Sequence, residues 1–188
     1  MRLFVAIPLP ALLTRGLTEG RPAIEQVRWV APDNLHLTLK FIGDARRDCA
    51  AALRDELQAR IRGVDAPWIE CVGAGVFPPK GAPTVVWAGV RPHASLIALH
   101  RSIDDACALY GIARDRGAYR PHITVARIRS ARDRRRPQAG RAAAAVAWVM
   151  ERRFPPGFAA DRCVLFRSDL GPAGPVYTEV ASFGFDPS

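Results

Sequence analysis

The sequence predicts an α+β fold: a bilobal, duplicated unit in which two antiparallel sheets, flanked by helices, enclose a central cleft about a pseudo-two-fold axis. Three observations predict it. Helical and extended periodicities follow one series twice, as helix, strand, helix, strand, strand, first over residues 10–90 and again over 94–185. The first strand of each series carries a His-x-Thr pair, His36 with Thr38 and then His122 with Thr124, and the two histidines lie 86 positions apart in a chain of 188. No linker divides the halves, so residues 1–188 are expected to form one bilobal domain.

Each element has its own reason. Arg2 to Ile7 is a short apolar run ended by Pro8, too short for a signal peptide's apolar core, and reads as the first strand. Pro10 to Gly20 is a helix with proline in its first turn and glycine at its close. Gln26 to Val30 is extended, and Ala31-Pro32-Asp33-Asn34 turns into the first motif strand, which stops at Gly43. Asp44 caps a helix over residues 46–62, where Ala50, Leu53, Leu57 and Ile61 recur at helical spacing. Residues 68–77 and 84–90 form a strand pair about a proline-rich turn. A helix over 94–110 carries Leu96, Leu99, Ile103 and Ala106 on one face, and the second motif strand ends near Arg127. A basic loop from Arg129 to Pro137 precedes an alanine-rich helix over 138–152, and strands at 158–166 and 176–185 close the chain.

Composition narrows the classes of function. Hydrophobic residues make up 49% and charged residues 24%, which suits a packed globular chain and not a disordered one. No stretch is long enough to span a membrane. Cys49, Cys71, Cys107 and Cys163 are scattered without a Cys-x-x-Cys pair, so they signal neither a zinc site nor a disulfide scaffold, and a cytoplasmic location is expected. The net charge is +9, and all but Lys40 and Lys80 of the 27 basic residues are arginines. Arginine's planar fork suits phosphate, so a polyanionic partner is favoured.

On a strand, residues i and i+2 share a face, so each histidine projects with its threonine while Leu37, Leu39, Ile123 and Val125 point to the core. Two imidazoles facing one another can act in concert at neutral pH, one taking a proton from water and the other giving one to a departing alkoxide. Threonine hydroxyls on the same face can hold non-bridging phosphate oxygens, and arginine can neutralise the charge there. This chemistry requires neither metal nor cofactor. Neither motif offers a second metal ligand at useful spacing, which counts against a metal-dependent hydrolase.

The two motifs, with Arg2-Leu3-Phe4-Val5-Ala6-Ile7, Asn34-Leu35, Phe41, Gly43, Phe77-Pro78, Val86-Trp87-Ala88-Gly89-Val90 and Pro121 around them, resemble the two-histidine phosphoesterase superfamily. Within it, the likeness is to RNA 2′,3′-cyclic phosphodiesterases, also described as 2′-5′ RNA ligases. That resemblance implies hydrolysis of a terminal RNA 2′,3′-cyclic phosphate to a 2′-phosphomonoester, with 2′-5′ ligation as a secondary activity. It makes His36 the proton donor to the leaving 3′ oxygen and His122 the activator of water. Thr38, Thr124 and Arg127 would bind phosphate, although strict alternation from His122 puts Arg127 on the opposite face. An RNA-binding module without turnover and a phosphodiesterase for small cyclic nucleotides are the alternatives. Tyr119, near His122, is a candidate for base stacking, whereas Phe41 falls on the core side. Lys40 is expected on the His36 face at the exposed periphery, and His93 and His100 as ordinary residues at and in the third helix. A monomer is expected, with no membrane or metal partner.

Overall fold

The computed structural model describes residues 1–129, 138–172 and 174–186. The basic run beyond Arg129 therefore lies outside the described residues. In chain order the strands are β1 (Arg2–Pro8), β2 (Val27–Trp29), β3 (His36–Asp44), β4 (Trp68–Ile69), β5 (Cys71–Phe77), β6 (Val85–Val90), β7 (His122–Ile128), β8 (Phe158–Ala159), β9 (Arg162–Gly171) and β10 (Gly174–Gly184). The helices are α1 (Ala11–Gly16), α2 (Arg47–Ile61), α3 (Ala94–Leu109) and α4 (Gln138–Met150).

The two expected sheets are the halves of one antiparallel sheet ordered β10-β9-β1-β3-β7-β6-β5. They join between the motif strands through a single residue pair, Leu37 with Ile123. Beyond that pair β3 and β7 part, and β2 pairs with β7 at Ala126 to Ile128. The parting opens the cleft. Helices α2 and α3 pack on each other and back the half containing β3 and β10, while α4 backs β5, β6 and β7. Leu37, Leu39, Ile123 and Val125 are buried beneath these helices with Leu53, Leu57, Leu96 and Ile103.

Each half of the sheet draws strands from both sequence repeats. The motif strand β3 pairs with β1, which pairs with β9 from the chain's end. The second motif strand β7 pairs with β6 from the first repeat. The halves are thus interleaved.

Four elements differ from expectation. Asp44, expected to cap α2, instead ends β3, and Arg46 takes the position before the helix. Helix α1 stops at Gly16, where Thr18 turns its hydroxyl back to donate to the Thr14 carbonyl oxygen and its N–H bonds Arg15, tightening the last turn. The strands expected at 68–77 and 158–166 each break in two. Their first residues peel away and pair with one another, Trp68 with Ala159 and Ile69 with Phe158, which leaves β5 and β9 to begin after the break. This small ribbon brings the corresponding pieces of the two repeats together.

Candidate active site

Alternation along both motif strands holds for four residues and then reverses. In β3, His36 and Thr38 face the cleft and Leu37 and Leu39 the core, but Lys40 is buried and Phe41 is 58% exposed. The cause is a bulge: Thr38 pairs with Ala6 and Lys40 with the adjacent Val5, which leaves Leu39 as the extra residue. The same irregularity occurs in β7, where Thr124 pairs with Trp87 and Ala126 with the adjacent Val86, leaving Val125 over. Arg127 is therefore turned onto the face of His122 and Thr124, contrary to strict alternation. The corresponding flip overturns two other expectations: Phe41 is on the cleft side and Lys40 is in the core.

Both imidazoles are held alike. The Nδ1 of His36 lies 2.8 Å from the carbonyl oxygen of Asn34, and that of His122 lies 2.7 Å from the carbonyl oxygen of Arg120, two residues back in each case. A carbonyl can only accept, so Nδ1 carries the hydrogen in both rings, and Nε2 is the nitrogen left for chemistry. Aromatic rings fix each plane. His36 sits 4.9 Å from Phe4 and 5.4 Å edge-on from Tyr177, and His122 sits 4.9 Å edge-on from Phe77 and 6.2 Å from Trp87. Burial pushes His36 down to about 4, with Arg127 and His122 adding to the effect against the Asn34 hydrogen bond. Burial also lowers His122, opposed by its bond to Arg120.

His36, Thr38, His122, Thr124 and Arg127 line one cavity of about 410 Å³. His36 and Thr38 flank Leu37, and His122 and Thr124 flank Ile123, at the one position where the two motif strands pair. Arg28, Asn34, Phe4, Phe41, Phe77, Ser168 and Tyr177 complete much of the wall, and among the described residues no carboxylate contributes. Phe4 and Tyr177 flank His36, Phe77 flanks His122, and Arg28 and Arg127 add positive charge to the wall. Burial holds the thiols of Cys71, Cys107 and Cys163 up at about 12, so none is poised as a nucleophile.

Tyr119 does not line this cavity. It borders an adjoining groove, its ring stacked 4.0 Å from His100 and its hydroxyl donating to the Thr38 carbonyl oxygen at 2.6 Å. With one ring face and its hydroxyl committed, it acts as a brace. Trp87 is likewise internal, its ring passing over Gly75, where a Cβ would overlap it. Tyr177 and Arg28 went unmarked in the sequence because neither sits in a motif, and only pairing across the chain brings them here.

Lys40 anchors a network behind the site. Its ammonium contacts Asp104 at 2.6 Å and Asp115 at 2.7 Å and donates to the Ala113 carbonyl oxygen at 2.8 Å. Burial alone would lower its pKa, but the two carboxylates outweigh this and raise it. Asp115 also meets His100 Nε2 at 3.2 Å. The segment from Ala113 to Tyr119, which leads into His122, is thereby tied to the back of β3. His100 and Lys40 are structural, and His93 precedes α3 with its ring 3.5 Å from Glu70.

A cavity lined by paired imidazoles, paired threonines and two guanidinium groups holds the residue types that acid–base chemistry on a phosphoester uses. Comparison with known proteins agrees: a family model described as the 2′-5′ RNA ligase superfamily matches residues 18–172. The RNA 2′,3′-cyclic phosphodiesterase of Methanothermobacter thermautotrophicus is 31% identical over 187 residues, covering 97% of this chain and 98% of that protein. The Thermus thermophilus protein of the same description is 32% identical, covering 97% and 89%. Among solved structures, E. coli LigT without ligand superposes with a TM-score of 0.74 at 28% identity over 98% of this chain and 96% of that one. LigT complexed with 3′-AMP gives 0.75 at 28% over 98% and 97%. The chain belongs to the 2′-5′ RNA ligase superfamily. Among the described residues no helix is long and apolar enough to cross a membrane, and no group of three or more His, Cys, Asp or Glu could hold a metal ion.

Proposed function

We propose that the protein hydrolyses the terminal 2′,3′-cyclic phosphate of RNA to a 2′-phosphomonoester by paired-histidine acid–base catalysis. The observation that carries the reading is the repeated geometry: each Nδ1 is tied to a carbonyl, each Nε2 is left free, and both histidines and both threonines line one cavity beside the single paired position of the motif strands. Relatives described as RNA 2′,3′-cyclic phosphodiesterases support the substrate.

His122 Nε2 takes a proton from water as the water oxygen bonds to phosphorus. The P–O3′ bond breaks, and His36 Nε2–H gives its proton to the departing 3′ oxygen. Thr38 and Thr124 donate to the non-bridging oxygens, and Arg127 balances the charge that gathers there. Solvent then restores the two protonation states. An acid with a pKa of about 4 in the empty site is neutral at pH 7. The anionic cyclic phosphate raises it on binding, so the proton arrives with the substrate. With an RNA 5′-hydroxyl in the place of water, the same displacement leaves a 2′-5′ linkage. In this reading no metal takes part, the interleaved halves act as one bilobal domain over residues 1–188, and a monomer suffices because one chain supplies every group. Four cysteines outside any disulfide fit a reducing cytoplasm.

The test is product identity. An RNA oligonucleotide ending in a 2′,3′-cyclic phosphate, incubated with the protein in EDTA, should give the 2′-phosphate with undiminished rate. A 3′-phosphate would reverse the assigned leaving group, and loss of activity in EDTA would overturn the metal-independent step.

A further inference from the structure

We infer that Arg28 forms a second phosphate site, which takes the phosphodiester immediately 5′ of the terminal nucleotide and so selects an RNA chain over a mononucleoside cyclic phosphate. The inference rests on the phosphodiesterase reading above and adds the identity of the substrate. Arg28 and Arg127 are direct partners on the antiparallel strands β2 and β7, so their side chains leave the same face. Both line the cavity. Like charges directly opposite one another destabilise a strand pair. Among the described residues no carboxylate lies within ion-pair distance of either, whereas Arg91 is paired with Glu70 and Arg162 with Glu179. Two guanidinium groups held together without a counter-ion make a site for anions.

In the reading above, two histidines, two threonines and Arg127 serve the scissile group, which leaves Arg28, against the tip of the β9–β10 hairpin, for another anion. Its guanidinium rests on Gly174, where a Cβ would overlap it, and the φ of 131° there suits only glycine. The same tip is fastened to the His36 side of the cavity by Asn34 Nδ2, which donates to the Pro175 carbonyl oxygen at 2.8 Å. Arg28 is thus held against the hairpin tip where that tip lines the cavity. In an RNA end bearing a cyclic phosphate, the next anion along the chain is the upstream phosphodiester, and Phe41 and Tyr177 offer the terminal base aromatic surface in the same cavity.

The experiment uses two dinucleotides ending in a 2′,3′-cyclic phosphate, one joined by a phosphodiester and the other by an uncharged methylphosphonate. Wild type should prefer the charged linkage in kcat/KM by about tenfold or more, mainly through KM, as a charge-assisted contact requires. Arg28→Ala should bring the ratio close to one, and Arg28→Lys should keep part of it. Without ligand, the unfolding midpoint of Arg28→Ala should equal or exceed that of wild type, since a repulsion is removed. A ratio unchanged in Arg28→Ala, or an equal loss on both dinucleotides, would overturn the site. If wild type turned over neither dinucleotide, the phosphodiesterase reading would fail. Equilibrium binding of the same pair would then decide Arg28, with equal affinities counting against it.

Discussion

At the scale of the residue, the site works by withholding water from groups that would otherwise be charged. His36 is neutral in the empty cavity because burial outweighs its hydrogen bond, and this has a consequence for folding. Its pKa falls from 6.5 in the unfolded chain to about 4 in the folded one, so between those values the unfolded chain holds the extra proton. Stability is therefore complete above pH 6.5 and falls as the pH drops through that window, by about 1.4 kcal/mol per unit from this group. His122, also lowered, acts in the same direction. Denaturant unfolding of wild type at pH 5 should show about 2 kcal/mol less stability from His36 than at pH 7, a component missing from His36→Gln. Identical pH profiles would contradict the buried, neutral state. The histidines and threonines were legible in the sequence because they precede the bulges. Lys40, Phe41 and Arg127 follow them, and period-2 reasoning carries the wrong phase past an inserted residue that leaves no mark in composition.

At the scale of the element, the two bulges sit at equivalent places and give the two motif strands different ends. Beyond its bulge β3 presents Phe41 to the cleft, whereas β7 presents Arg127, so one lobe offers a ring where the other offers a cation. Behind β3, Lys40 holds Asp104 and Asp115. Lys40→Met would strand those carboxylates and should cost about 3–5 kcal/mol, read as a lowered unfolding midpoint. Activity should drop with it, since the segment before His122 loses its anchor. A variant as stable as wild type would show that the network carries no load. Helix and strand positions were legible from periodicity, but the breaks that free β4 and β8 were not. Those short pieces are defined by their pairing with each other, which no local window contains.

At the scale of the whole molecule, the two motif strands present matching residues to one cavity, and the strands around them come from distant parts of the chain. The order of helices and strands was legible in the sequence, with one motif in each half. The exchange of hairpins was not, because the pattern of apolar residues is the same whichever half a strand joins. The result is that β3 is held by β1, and β7 by β6 and β2, and the cavity lies where the two motif strands part after Leu37 and Ile123. The central claim is that His36 and His122 act together in one step. The most direct test is the rate of cyclic phosphate hydrolysis by His36→Ala, His122→Ala and the double variant. Each single change should lower kcat by about 10²–10⁴-fold, and the double variant should be little slower than the worse of the two, since one histidine without the other completes no proton transfer. A single variant that kept a rate near wild type, or losses that simply multiplied, would contradict the paired mechanism.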